Sequence, residues 1–465
     1  MTKHIHFIGI CGVAMSALAI AFQKQGWRVS GSDAGFYPPI STLLREHGIY
    51  FYPGWHPEKM GAPNLAVVGN VAASHNPEWL AVQKNNIPYR SYPEVIAEYV
   101  VKANSIVAAG TYGKTTTSAL LSWVLAANGR DPSYMFGGLA LNDFPAAHMG
   151  GSGWSVLEGD EYKTARWDNR PKFAHYRTTH LLLTALSWDH ADLYPTEESY
   201  FAAFRNLIAQ IPPSGLVVAG VNSGPVRSLI KHAQARTVTY GQAAADYVYS
   251  NVSQSASGLE FTVTRGQAAD RITSPLLGDY QAENITGVFA LASETGLPPA
   301  KIITAIASFP GLKRRLERRL AGPVAVFDDI AHSPAKAKAV FSTLRQLYPG
   351  KIIAVFEPNT GNRRPAAAPG YEAAFQEADE VIVPKLTALK RDPNEAEEAY
   401  DGGDIARIIG ETHPSARYIP NDPDVVAALR KTASPGDVIV FAGSHGFRGM
   451  IEGTVRALAE LYSNL

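Results

Sequence analysis

The chain has 465 residues, too many for one ordinary core, and at roughly 150 residues per domain about three domains are expected. Its 42 lysines and arginines equal its 42 aspartates and glutamates; this argues against a dedicated nucleic-acid binder and leaves room for a small anionic ligand at a local positive spot. The single cysteine, Cys11, rules out an intrachain disulfide and a thiolate metal site, fits a reducing cytoplasmic compartment, and reads as a buried structural thiol.

Lys3 followed by IHFIGICGVAMSALAIAF imitates a secretory leader, even to an Ala-x-Ala at Ala19 to Ala21. Strand, turn and helix is the better reading: His4 to Ile8 suits a short buried strand, Gly9 and Gly12 punctuate a turn, and the small residues from Val13 to Phe22 start a helix. WRVSGSD, Trp27 to Asp33, then supplies the next strand of a βαβ unit. A further strand at Leu65 to Gly69 and a helix in PEVIAEYV close this region. No other stretch reaches the ~20 apolar residues of a membrane span, so no membrane insertion is expected.

A second unit opens with a strand at Ser105 to Ala109, passes through a glycine-rich turn, and continues as a helix from Thr115 to about Asn128. Strands are expected at Trp154 to Glu158, His180 to Thr184 and Gly215 to Ala219, and the period-two pattern between Thr237 and Thr273 predicts an antiparallel insertion. A third unit follows SFPGLKRRLE, with strands at Val324 to Asp328, Lys351 to Phe356, Glu380 to Val383 and Asp437 to Phe441. Apolar runs alternating with helical patterns are the mark of α/β domains with largely parallel sheets. Asn359 to Gly370, NTGNRRPAAAPG, reads as a mobile loop.

The chemistry concentrates in a few segments. AAGTYGKTTT, Ala108 to Thr117, has the strand–loop–helix setting of a P-loop, in which backbone N–H groups and a helix N-terminus wrap phosphate oxygens. Lys114 would reach the β and γ phosphates and the Thr115 hydroxyl would ligate magnesium, although Ala108 stands where the regular pattern has glycine. VLEGDEY ends a strand in Glu158, Asp160 and Glu161, the place where carboxylates beside a P-loop commonly hold magnesium. LSWDHADLY presents Asp189, His190 and Asp192, a set that points to a metal or to positioning of a nucleophile. GLKRRLERR, Gly311 to Arg319, is either a solvated basic face or the source of an arginine clamping phosphate charge. GICGVA lacks two glycines of a dinucleotide fingerprint, yet Asp33 stands about 20 residues on, so a ligand-binding turn and plain packing both remain open.

Taken together these segments resemble the Mur ligase family over essentially the whole chain. The resemblance implies an α/β chain of three domains: a Rossmann-like UDP-sugar domain over 1–104, a central P-loop ATPase domain over 105–309, and a Rossmann-like C-terminal ligase domain over 310–465. Within the family, EGDEYKTARWDNRPKFAHY, Glu158 to Tyr176, is similar to the ligases that attach a ready-made wall tripeptide to UDP-N-acetylmuramate, and differs from those that add L-alanine. GLKRRLE, DDIAHSP and GDVIVFAGSHGF fit the same branch.

The resemblance further implies ATP and Mg²⁺ as cofactors, with Gly110, Thr111, Gly113, Lys114, Thr115 and Thr116 cradling the nucleotide. Asn284 would lie near the adenine, and Arg315 and Asp329 would close on ATP, with His332 adjoining. Thr115, Glu158 and His190 would serve the metal; Lys114, Glu158, His190 and Arg315 would be catalytic. Gly9, Gly12, Met15, Ser16 and Asp33 would hold the UDP-sugar. UDP-N-acetylmuramate and a wall peptide or L-alanine are the implied partners, in the cytoplasm, with the protein a monomer or weak homodimer. Departures from the family pattern are Tyr112 in the P-loop, Tyr280 and Gln281 beside Asn284, and Ser333 and Asn359 in the C-terminal segments, whose changes bear on the acceptor more than on ATP. Three readings stand: a tripeptide ligase, an L-alanine ligase, and a non-catalytic nucleotide-binding relative, the last disfavoured because Lys114, Thr115, Glu158 and His190 are all present.

Overall fold

The computed structural model describes residues 2–190, 193–388 and 399–463; Asp192, named above, lies outside them. Two compact units form. Met1–Ser253, Gly258–Leu276 and Tyr280–Pro310 make one, and Gln254–Ser257, Leu277–Asp279 and Gly311–Leu465 the other.

The first unit begins with five parallel strands, β1 (His4–Ile8), β2 (Arg28–Asp33), β3 (Tyr50–Pro53), β4 (Leu65–Val68) and β5 (Tyr89–Ser91), ordered β3-β2-β1-β4-β5. The helices are α1 (Val13–Lys24), α2 (Ile40–Glu46), α3 (Pro77–Lys84) and α4 (Tyr92–Tyr99). The leader-like stretch is thus β1 and α1, and α1 buries Met15 through Phe22 without a break. Local chemistry starts the later helices: Asn76 accepts from Glu78 and Trp79 N–H ahead of Pro77, and Ser91 and Glu94 form a capping box. The strand order reverses between β1 and β4, so a ligand crevice is expected outside their carboxyl ends.

The same unit holds a ten-stranded sheet. Its strands are β6 (Asn104–Ala109), β7 (Ser133–Met135), β8 (Ala147–His148), β9 (Trp154–Gly159), β12 (His180–Leu183), β13 (Leu216–Gly220), β14 (Arg236–Gly241), β15 (Tyr247–Ser255), β16 (Gly258–Arg265) and β17 (Ala268–Ser274). A separate hairpin of β10 (Lys163–Ala165) and β11 (Asp168–Pro171) leaves the carboxyl end of β9. The order is β17-β16-β15-β14-β13-β12-β6-β9-β7-β8, parallel through the centre, with helices α5 (Lys114–Ala127), α6 (Glu197–Ala209), α7 (Gly224–Leu229), α8 (Gln281–Glu294) and α9 (Pro299–Ala307). The period-two segment is not a freestanding insertion: β15 pairs parallel with β14, and β16 and β17 pair antiparallel to extend the edge.

The second unit carries β18 (Glu317–Leu320), β19 (Ala325–Asp329), β20 (Ile352–Glu357), β21 (Glu380–Pro384), β22 (Ala416–Ile419) and β23 (Val438–Gly443), ordered β18-β19-β23-β20-β21-β22. Among the described strands of this sheet only β18 is antiparallel. Alternation fills both faces: Phe327, Ala354 and Phe356 pack on one side, Val326, Ile353 and Val355 on the other. Helices α10 (Pro334–Leu347), α11 (Gly402–Gly410), α12 (Asp422–Thr432) and α13 (Met450–Leu461) complete it. The segment expected as a mobile loop instead folds into two 3₁₀ turns, Thr360–Arg363 and Pro365–Tyr371. Buried Arg363 fixes it by donating to the carbonyls of Thr387 and Tyr400. No described helix is long and apolar enough to cross a membrane.

Candidate functional site

The cradle joins β6 to α5. Gly110 has φ +142, and a Cβ there would fall 2.0 Å from Thr184 Oγ1; Gly113 has φ +81, and its Cβ would fall 2.4 Å from Asn284 Oδ1. Only glycine permits both the backbone path and those approaches. Asn284, distant in sequence, therefore abuts the cradle. Thr111 turns away: its hydroxyl donates to Ser187 O at 2.7 Å and meets Tyr200 Oη at 2.8 Å, so it anchors the loop. Thr115 and Thr116 lie in the first turn of α5 and are largely buried.

Lys114 folds back on its own loop, donating to Gly110 O at 2.7 Å, and pairs with Glu161 at 2.8 Å. Burial works against its charge, but Glu161 and Asp160 outweigh it and hold the ammonium above the usual lysine range. Glu161 also faces His190 Nε2 at 3.4 Å, and its hydrogen bond raises that imidazole above the usual range against burial. Glu158 has other partners: Oε1 accepts from the Thr115 hydroxyl at 2.8 Å and Oε2 from Gly137 N–H at 2.6 Å. The structure thus brings Thr115 to Glu158 and His190 to Glu161. In the sequence Glu161 stands out only as one of three acids, because its double partnership spans 47 residues to Lys114 and 29 to His190 and carries no local signal.

Asp160 pairs with Lys172, and its other oxygen accepts from Tyr162 N–H at 3.0 Å. Burial opposes its ionisation, yet Lys172 and Lys114 hold it below the usual carboxylate range. A cavity of about 210 Å³ opens beside these groups, lined by Met15 of α1, by Gly69 and Asn70 just after β4, and by Glu158 of β9 with Asp160 and Lys172 beyond it. It sits where the strand reversal of the first sheet predicts a crevice.

Within the first turn the named residues divide. Gly9, at φ +93, would drive a Cβ to 2.6 Å from Val71, whereas Gly12 has ordinary extended geometry as the cap of α1. Met15 reaches the cavity. Ser16 is buried and donates to Val13 O at 2.9 Å. Asp33 holds the turn itself, accepting from Cys11 N–H at 2.9 Å and Ala34 N–H at 2.7 Å. Cys11 is half-buried, and burial pushes its thiol up.

In the second unit Asp329 is buried and accepts from Leu316 N–H at 2.6 Å and Ala331 N–H at 2.8 Å, bracing the turn that carries Arg314 and Leu316 at positive φ. Burial raises its carboxyl despite nearby Arg315. Arg314 is tied to Asp328 and to the carbonyl of His445, while Arg315 is exposed. His332 donates Nδ1–H to Ile330 O at 2.7 Å, and Ser333 caps α10, a structural use for that departure.

Three family models match in succession: "Mur ligase family, catalytic domain" over residues 4–102, "Mur ligase middle domain" over 108–292, and "Mur ligase, glutamate ligase domain" over 314–445. The chain is 32% identical to the UDP-N-acetylmuramate–L-alanyl-γ-D-glutamyl-meso-2,6-diaminoheptandioate ligase of Escherichia coli K12, covering 98% of each. It is 30% identical to the UDP-N-acetylmuramate–L-alanine ligase of Agrobacterium fabrum, covering 95% of this chain and 93% of that one. In fold it is similar to the crystal structure of a UDP-N-acetylmuramate–alanine ligase from Thermotoga maritima, with a TM-score of 0.82, 24% identity and full coverage of both chains. With its cradle, paired acids and crevice in one frame, and relatives matching nearly end to end, the chain belongs to the Mur ligase family.

Proposed function

We propose that this ATP-dependent ligase joins the lactyl carboxylate of UDP-N-acetylmuramate to the amino group of L-alanyl-γ-D-glutamyl-meso-diaminopimelate. One observation carries the reading: the cavity beside Glu158 and Thr115 is continuous with the carboxyl edge of the first sheet, so a sugar nucleotide seated there presents its carboxylate to the cradle. The E. coli relative bears the tripeptide-ligase name at 32% identity. The reading takes three domains, 1–104, 105–309 and 310–465, and a reaction in the cytoplasm.

A carboxylate oxygen is a poor leaving group, so the γ-phosphoryl of ATP is first transferred to it, giving an acyl phosphate and ADP. The amine then attacks the carbonyl, forming the amide and releasing phosphate. Chain residues supply charge and position rather than a nucleophile. Gly110 and Gly113 open the loop to phosphate, and Lys114 swings from Gly110 O to the transferred group. Arg315, exposed and positive, is the second-unit cation for the nucleotide, with Asp329 shaping its turn. Thr115 Oγ1 and Glu158 Oε1, 2.8 Å apart, are a hard-oxygen pair suited to Mg²⁺. Among the described residues no group of three His, Cys, Asp or Glu side chains is arranged to hold a metal, so phosphate and water oxygens would complete that shell. Mg²⁺ bound there would neutralise phosphate charge. His190, whose imidazole Glu161 holds above its usual range, faces the same acid that Lys114 pairs with.

The L-alanine ligase is the second reading, favoured by the 30% identical Agrobacterium relative. Incubating the protein with UDP-N-acetylmuramate, Mg·ATP and either L-alanine or the tripeptide, then weighing the product, separates them. The tripeptide adduct is expected. An alanyl product alone would sink the first reading, and no ADP release with either amine would leave a non-catalytic relative.

A further inference from the structure

The run Glu158 to Tyr176 is built to present one lysine. Thr164 Oγ1 donates to Arg170 O at 2.8 Å across the β10–β11 hairpin, and Asp168 accepts from Arg170 N–H at 3.0 Å and from its guanidinium at 2.7 Å. His175 closes the far side, 3.0 Å from Thr164 Oγ1 and 3.2 Å from Asp168 Oδ2. Lys172 N–H donates to Tyr162 O at 3.1 Å and Phe173 N–H to Asp160 O at 3.3 Å, folding the hairpin back on the end of β9. Phe173 is buried and packs on Phe204, with ring centroids 5.4 Å apart. The Lys172 side chain is 13% exposed, and its ammonium, 5.6 Å from the Tyr162 ring centroid, is thereby delivered into the cavity against Asp160.

Charge then sets a requirement. Glu158 and Asp160 line this cavity as acids, and among the described residues Lys172 is its single lining cation. A substrate carboxylate entering alone would meet two charges of its own sign in a partly dry site, which is unfavourable without a partner. An ammonium has three donors, and Asp160 uses one. We infer that Lys172 receives the carboxylate of the sugar nucleotide, sharing its charge between Asp160 and the substrate and holding one carboxylate oxygen beside Glu158 and Thr115 for phosphorylation. Asp160 positions the lysine; it is not consumed, and no bond to Lys172 is made. The inference rests on the function proposed above.

The test is calorimetric titration of the full chain, without ATP, using UDP-N-acetylmuramate and UDP-N-acetylglucosamine, which lacks the lactyl carboxylate. Lys172→Met is expected to weaken the muramate ligand about tenfold or more, the scale of a charge-assisted hydrogen bond, and to leave the glucosamine ligand unchanged. Lys172→Arg should restore part of the loss. Asp160→Asn keeps the lysine's charge and should keep the preference for muramate. Equal losses for both sugars, no loss for either, or a preference erased by Asp160→Asn as fully as by Lys172→Met would each overturn the assignment in favour of a structural pair. If Lys172→Met does not fold, the Asp160→Asn and Lys172→Arg titrations decide alone. An unaltered protein that forms no muramoyl amide with either amine removes the proposed function as well; one that forms it while Lys172→Met keeps the full preference removes only this inference.

Discussion

On the proposed function Lys114 has two tasks that a single variant cannot separate. It is the cation of the cradle, and it neutralises Glu161, a carboxylate 1% exposed. Lys114→Met should lower ADP release by about 10²–10³-fold, the usual scale for removing one preorganised donor to a developing charge. It should also destabilise the chain by ~3–5 kcal/mol, because a buried acid loses its partner, with His190 at 3.4 Å left as a weaker one. Adding Glu161→Gln removes the stranded charge, so the double variant should recover most of the urea midpoint and none of the activity. If stability stays low in the double variant, the ion pair is not the reason Lys114 matters to the fold. The cradle was legible in the sequence because it is local: strand, glycines, lysine and helix lie within ten residues. Asp33 is legible as the acid that ends the second strand and Thr111 as a member of the glycine-rich turn, but that their side chains brace turns depends on which backbone groups they meet, Cys11 N–H and Ser187 O, and spacing does not carry that.

Elements with strong periodicity were read closely: β1, α1, β6 and β12 fall within a residue or two of expectation. Short edge strands were missed for a physical reason. β5 is YRS and β11 is DNRP, neither with an apolar run, and both exist because a neighbouring strand offers its ladder. β1 shows the opposite case, where an apparently plain strand carries hidden chemistry. His4 and His6 point to one face and both meet Ser30 Oγ at 2.8 Å. Burial, with Arg28 and His6 nearby, lowers the His4 pKa to about 4. Between that value and the unfolded ~6.5 the unfolded chain binds more protons, so this group's stability is present above pH ~6.5 and is lost as pH falls toward 4, by up to ~3 kcal/mol. Glu78, whose carboxylate lies 3.6 Å from His6 Nε2, is also buried; burial opposes its ionisation, but His6 and the bonds from Ser32, Tyr52 and His56 N–H hold it below the usual range, adding a second loss at still lower pH. Urea midpoints at pH 7.5 and 4.5 should therefore differ, and His4→Gln should shrink the difference. A variant with the full acid sensitivity would place its origin elsewhere.

At the scale of the molecule, three sheets were legible because alternating apolar runs and helical patterns mark each strand independently. That the first two sheets pack as one compact unit was not, since it depends on contacts such as Asn70 Nδ2 to Lys163 O at 3.3 Å and Trp79 stacked on Trp167 at 4.9 Å. This grouping has a thermodynamic consequence. The cavity and the cradle lie wholly in the first unit, while Arg315 and Asp329 lie in the second, whose sheet has apolar cores on both faces. Units with separate cores unfold as separate cooperative blocks, and a ligand stabilises only the block that binds it. UDP-N-acetylmuramate at 100 times its Kd should stabilise the first unit by about 2.7 kcal/mol, which at ~2 °C per kcal/mol for a block of this size is a shift of roughly 5 °C. Scanning calorimetry should accordingly resolve two transitions, one moving with the sugar nucleotide and one staying. A single transition moving as a whole would mean that the two units fold as one cooperative block; two transitions of which only the second unit's moves would place the sugar site outside the crevice of the first sheet.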